Sequence, residues 1–245
     1  MTHRLAAAVA PSHRADDLPL AELMCAGLDG EVFPLGACWC PIDQIDGPSL
    51  RAASLAPLVP ARGIIERASA AWVYGVAAEP REHELCVDVR ARAHVLPSTR
   101  VHIREVVCSK FDIQSLGGLR VTTPLRTVVD LALWNPALWN PALCDPSLQH
   151  GDLTSVLWAL LRYGGYCDVG EARRACTSRP GPHRSRALEQ LDRVAARFAQ
   201  QDSLAVAHAI HVVDGVDATN GVEHPVEVRG VPHLEDEPTD GEAVA

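Results

Sequence analysis

Apolar residues recur at helical spacing across Leu18 to Gly30, LPLAELMCAGLDG, with Gly27 and Gly30 as stop signals. The next stretch, EVFPLGACWCPID, divides into two short strands around Leu35-Gly36 and predicts a hairpin. A helix followed by a small hairpin is the second half of a winged helix. Residues 1–17 are too short and too Ala-rich to supply its first helices, so 1–47 is expected to be a truncated winged-helix-like segment. Pro48 to Pro60 reads as a helix between prolines, Pro48 suiting its first turn. Arg67 to Val76 reads as a second helix, rich in small residues and ending at Gly75. His83 to Val89 and Thr99 to Val107 alternate as strands do, with a loop containing Pro97 between them.

The stretch GGLRVTTPLRTVVDLA follows, from Gly117 to Ala132. It predicts a strand over Leu119 to Thr122, a corner at Thr123-Pro124, and a helix from Leu125 to Trp134. Thr123 is a good N-cap, Pro124 a good first helical residue, and Val128, Val129, Leu131 and Ala132 form the apolar face. Residues 48–133 are therefore expected to form a small mixed α/β core. ALWNPALWNPAL then repeats five residues in tandem, and because each Asn-Pro opposes helix, 134–150 reads as a linker. Helical spacing resumes at Leu153 to Tyr163, Val169 to Cys176 and Ser185 to Gln200, giving a helical section over 151–200. Residues 201–245 carry Gly, Pro and acids with few large apolar groups, and are expected to be a largely disordered acidic tail. The fold class this predicts is α+β.

Charge changes the picture in one respect. The chain has 245 residues and a net charge of -9, but ten acids against one base, Arg229, lie from Gln201 onward. The preceding 200 residues are neutral, so the overall charge says nothing against a nucleic-acid partner for the body of the chain. All but one of the basic residues are Arg, the exception being Lys110. No Gly-Lys-Ser/Thr triplet exists to build a P-loop, and no acid stands two residues before Lys110 for an acid-x-Lys nuclease pair. The 8 Cys are scattered and no export signal or run of about 20 apolar residues appears, which predicts reduced thiols, a cytoplasmic location and no membrane partner. Cys38 and Cys40 share a strand face with Cys25 upstream, but no fourth ligand stands at zinc spacing, and neither a metal nor a cofactor is expected.

Three candidate chemistries can be set against the residues. Leu116-Gly117-Gly118 followed by Asp130, with eleven residues between Gly118 and Asp130, matches the spacing of a nucleotidyltransferase turn and its first metal-binding acid. The second acid is replaced by Ala132, and one carboxylate cannot hold the two metal ions of in-line displacement. His208, His211 and Asp214 share a helical turn but fall where order is expected to end. The plainer view of the motif pairs Arg126 with Asp130 along the helix: a few tenths of a kcal/mol if exposed, or a tie between helix and sheet if buried. No catalytic residue is predicted, and the chain is not expected to be an enzyme.

RASAAWVYG, then a strand containing VHIRE, then GGLRVTTPLRTVVDLA resembles the actinobacterial branch of the AbiEi-like antitoxins of type IV toxin–antitoxin systems. The resemblance covers about Leu18 to Ala132, and its marker residues are Thr123, Pro124, Arg126, Thr127 and Asp130. It implies a winged helix joined to an α/β domain, and a transcriptional regulator that binds promoter DNA and counters a nucleotidyltransferase-like toxin. It also implies DNA contacts from Arg51, Arg62 and Arg67, through phosphates and without a base code. Two departures stand out: the winged helix is incomplete, and Arg-rich helices replace the endonuclease-like domain of some relatives. Arg174, Arg179, Arg184 and Arg186 form a second basic candidate, for DNA or an acidic partner. A protein-interaction module that has lost DNA binding is the alternative.

Overall fold

The computed structural model describes residues 2–3, 18–90, 100–134, 153–166, 168–179 and 183–217, with side chains described from 19 to 204. Two compact units divide the chain, Met1–Gln201 and Asp202–Ala245. In the first unit β1 (Thr2–His3) pairs antiparallel with β2 (Leu18–Pro19), which leads into α1 (Leu20–Leu28). β3 (Val32–Leu35) and β4 (Cys38–Pro41) form the expected hairpin. Then come α2 (Pro48–Ser54), β5 (Ile64–Ile65), α3 (Arg67–Val73), β6 (His83–Asp88) and β7 (Val101–Val106). A 3-10 turn, Lys110–Asp112, leads into β8 (Ile113–Leu116), β9 (Leu119–Thr122) and α4 (Pro124–Trp134). The helical section is α5 (Leu153–Tyr163), α6 (Gly170–Ser178) and α7 (Arg184–Asp217). The class is α+β, as the hydrophobic pattern predicts.

The central sheet has five strands in the order β7-β6-β5-β9-β8. β6 and β7 run parallel, as do β5 and β9, while β5–β6 and β8–β9 are antiparallel. Two of these five strands were not predicted. β5 is a pair of residues, Ile64 and Ile65, too short to alternate, yet it is the strand that joins the two halves of the sheet. β8 makes Gly117-Gly118 the turn of a hairpin, with φ of +55° and +77° as such turns require. At Gly117 the backbone approaches α2 so closely that a Cβ would lie 2.1 Å from the Ser49 carbonyl oxygen.

One hydrophobic core runs through the first unit. Leu35, Cys38 and Cys40 of the hairpin share it with Ile65, Val121, Leu131, Leu157, Leu160, Leu191 and Val194. The boundaries drawn at 47/48 and 150/151 therefore mark changes in local pattern, not separate cores. The tip of the β3–β4 hairpin faces inward: Ala37 N–H donates to the Ser54 carbonyl at 3.1 Å. Gly36, at φ +58°, leaves no room for a Cβ against Ser54, Leu55 and Trp72. This hairpin is anchored at its turn, unlike a wing that offers its turn to DNA.

Helix α4 packs against α3 and, in the helical section, against α5 and α6, so that Val128, Val129 and Ala132 are fully buried and Arg126 and Asp130 are nearly so. α7 continues past residue 201 to Asp217, where a disordered tail was expected; Gln201 to Val213 contains no Pro or Gly to stop it. The repeat from 135 onward, the Pro97 loop, and residues 218–245 lie outside the described residues, as do the side chains of His208, His211 and Asp214. No helix among the described residues is long and apolar enough to cross a membrane.

Candidate functional site

The Thr-Thr-Pro corner forms as its residues dictate. Thr123 Oγ1 accepts the Arg126 N–H at 3.4 Å, and the Thr127 hydroxyl donates to the Thr123 carbonyl at 2.9 Å. Thr122 and Thr127 hydroxyls lie 2.8 Å apart, tying β9 to the first turn of α4. With the helix start held, Arg126 and Asp130 are set one turn apart on the face toward the sheet. Arg126 Nε donates to Asp130 Oδ2 at 2.8 Å, with only 6% and 3% of the two side chains exposed.

This pair is the middle of a longer chain of charges. Asp130 also meets Arg104 of β7 at 3.4 Å, and Arg104 donates twice to Glu66 at the end of β5, at 2.5 and 2.7 Å. Glu66 is followed by Arg67, which reaches Glu84 of β6 at 3.3 Å. In the other direction Arg126 Nη1 meets Asp112 at 3.1 Å, and Asp112 meets Arg179, just past α6, at 3.0 Å. Four acids and four arginines thus alternate from β6 to the helical section. Burial pushes the Asp130 carboxyl up from the ordinary aspartate range, against the pull of Arg126. Burial likewise raises Glu84, against Arg67. Burial opposes charge on Arg126 and Arg104 too, but their acid neighbours prevail and hold both guanidinium groups protonated.

Arg67 carries the one positive φ, +48°, found at a non-glycine residue among those described. It opens α3, where the Ala68 N–H donates to the Glu84 carboxylate at 2.9 Å and Arg67 itself is held between Glu66 and Glu84. These contacts over-determine a conformation that costs an L-residue about 1–2 kcal/mol.

Two further clusters were not foreseen. Ser69 Oγ lies 3.3 Å from His83 Nδ1, and His83 Nε2 lies 3.5 Å from Glu79. The order Ser–His–Glu suggests a nucleophile, but Ser69 is fully buried and its Oγ accepts the Glu84 N–H at 2.8 Å. It packs α3 against β6. Hydrogen bonding to His83 holds the Glu79 carboxyl below the ordinary range. Cys86 and Cys108 meet in a small satellite core with Ile64, where a hydrogen bond from Cys86 holds the Cys108 thiol low. Neither cluster has a sequence signature, because its members come from different elements.

The expected binding residues differ in how far they are exposed. Arg51 makes a two-pronged pair with Asp46 at 2.7 and 2.6 Å, donates to the Trp72 carbonyl at 2.9 Å, and lies over the Trp72 ring. Arg67 is committed to Glu84, and Arg62 is exposed in the turn before β5. The structure does not gather these three into one surface of free charge. In the second set Arg179 is tied to Asp112, while Arg174, Arg184 and Arg186 are exposed. A groove of about 490 Å³ is lined by Gly170, Arg173, Arg174, Thr177 and Ser178 of α6. Cys38 and Cys40 are buried, Cys25 is exposed, and burial pushes the Cys40 thiol up to about 11. Among the described residues no group of three or more His, Cys, Asp or Glu stands ready to hold a metal.

Compared with known proteins, the chain matches no family model and no curated protein. Among solved structures it is similar to the crystal structure of the RV2827C protein from Mycobacterium tuberculosis, at 21% identity, covering 75% of this chain and 69% of that one, with a TM-score of 0.40. A likeness of that size carries no argument about what this chain does.

Proposed function

We propose that this chain is a non-enzymatic, nucleic-acid-binding regulator of the AbiEi-like antitoxin kind, acting on promoter DNA and on a nucleotidyltransferase-like toxin. The observation that supports this is the contrast between the two sets of charges. The acids of the family motif and its neighbours are matched by arginines inside the fold, whereas α6 and the start of α7 turn Arg174, Arg184 and Arg186 toward solvent. Surface arginines that face solvent are suited to phosphates and give binding a steep salt dependence. The test is a gel shift with the purified chain and the DNA just upstream of its own gene, across a salt series. Retarded DNA whose affinity falls with salt is expected; no retardation at low salt defeats the proposal.

A second reading, a protein-interaction module, is favoured by a different surface. Leu20, Met24 and Leu28 stand four residues apart on α1 and are 39%, 54% and 88% exposed, with Ile42 and Ile45 also exposed after the hairpin. A stripe of that kind on a short helix is characteristic of a face that meets another protein. Purification of one dominant partner together with no DNA shift would favour this reading over the first.

A further inference from the structure

The turn between β7 and β8 presents Phe111 with 80% of its surface in water, beside Val107 at 62%. Such exposure is not the result of a loose loop. Ser109 Oγ accepts the Phe111 N–H at 3.3 Å, the Asp112 carboxylate accepts the Ser109 N–H at 2.9 Å, and Asp112 is itself gripped by Arg126 and Arg179. The ring is therefore held outward by a braced backbone, at little cost in entropy when something binds it.

One cation lies against the ring, and others approach the turn that carries it. Lys110 Nζ, from the chain's single lysine, lies 5.0 Å from the ring centroid. Arg179 reaches Asp112 from the end of α6, and Arg184 Nη2 donates to the Arg179 carbonyl at 2.7 Å, which ties the start of α7 to the end of α6. Asp112 adds no free negative charge here, because two arginines share it.

We propose that Phe111 and Lys110 form one surface with Arg184, and that this surface binds single-stranded nucleic acid, Phe111 stacking on an unpaired base while the cations hold the neighbouring phosphates. The proposal rests only on the nucleic-acid part of the reading above, and adds to promoter binding a separate face for a single strand. A projecting aromatic ring beside a cation suits a single strand, whose bases leave their faces open; the bases of a duplex are already stacked on one another. The cations suit a phosphate backbone better than an apolar protein surface, which would leave them unpaired.

Fluorescence anisotropy of the full chain with a labelled single strand of about twelve nucleotides, and with the duplex of the same sequence, tests this. Phe111→Ala should weaken the single-strand complex about tenfold and leave the salt slope unchanged, since no charge is removed. Phe111→Trp should retain binding. Arg184→Gln should lower the slope by about 0.7. Because Phe111 lies in water, circular dichroism and melting of its variants should match the parent. Single-strand affinity unchanged in Phe111→Ala, or preference for duplex that ignores Phe111, overturns the proposal while leaving the broader reading intact. A parent chain that binds neither form at low salt overturns both.

Discussion

Replacing Asp130 by Asn removes the one charge that separates Arg126 from Arg104, with almost no change in volume. Both arginines keep an acid, Asp112 for one and Glu66 for the other, but the oxygen that accepts from Arg126 at 2.8 Å loses its charge. Breaking a buried pair from one side typically costs about 3–5 kcal/mol, since the surviving charge stays out of water. The remaining acids place Asp130→Asn near the low end, about 3 kcal/mol. Urea unfolding followed by tryptophan fluorescence should then show the midpoint about 1.5 M lower, for a denaturant slope of about 2 kcal/mol per M. The paired change Arg126→Met with Asp130→Leu should lose less than Asp130→Asn alone, because no buried charge is stranded. A midpoint for Asp130→Asn within about 0.3 M of the parent would show that the charge chain contributes nothing, and would refute the reasoning.

The β8–β9 turn offers a sharper contrast. Gly117→Ala drives a Cβ to 2.1 Å from the Ser49 oxygen and should leave little folded protein, while Gly118→Asn, in open space at φ +77°, should cost under about 1 kcal/mol; circular dichroism melts distinguish them. Tyr74 donates to the Thr122 carbonyl at 2.5 Å and accepts from Gln114 at 2.7 Å inside the core, so Tyr74→Phe should cost about 1–3 kcal/mol by the same urea assay. The hydrogen bond from Arg51 holds the Asp46 carboxyl below its ordinary value, so its stabilising contribution is present above about pH 4 and lost as pH falls through the lowered folded value. The stability difference between the parent and Asp46→Asn should therefore shrink between about pH 4 and pH 2, and a difference that grows on acidification would contradict the ion pair.

Much of the local structure can be read from residues alone. Thr123-Pro124 marks the start of α4, the alternation in His83 to Val89 marks β6, and Leu35-Gly36 lies at the turn of the first hairpin. The four-residue spacing of Arg126 and Asp130 is also visible, and with it their pairing. Their burial is not. Whether an i,i+4 pair stands in water or inside the protein depends on whether a second layer covers the helix, and that layer comes from α5 and α6.

The same holds for the partners. Arg104 finds Glu66 across 38 positions, and Arg179 finds Asp112 across 67. Strand β5 shows no pattern in two residues and exists because β6 and β9 hold it on either side. The braced projection of Phe111 likewise depends on Arg179 gripping Asp112 from a distant helix. Short-range steric and capping preferences act within a turn or a strand, so the sequence by itself determined most of the helices and the longer strands. Coulomb pairing and burial act between elements brought together by packing. Only the tertiary structure decided which charges are committed inside the fold and which remain at the surface.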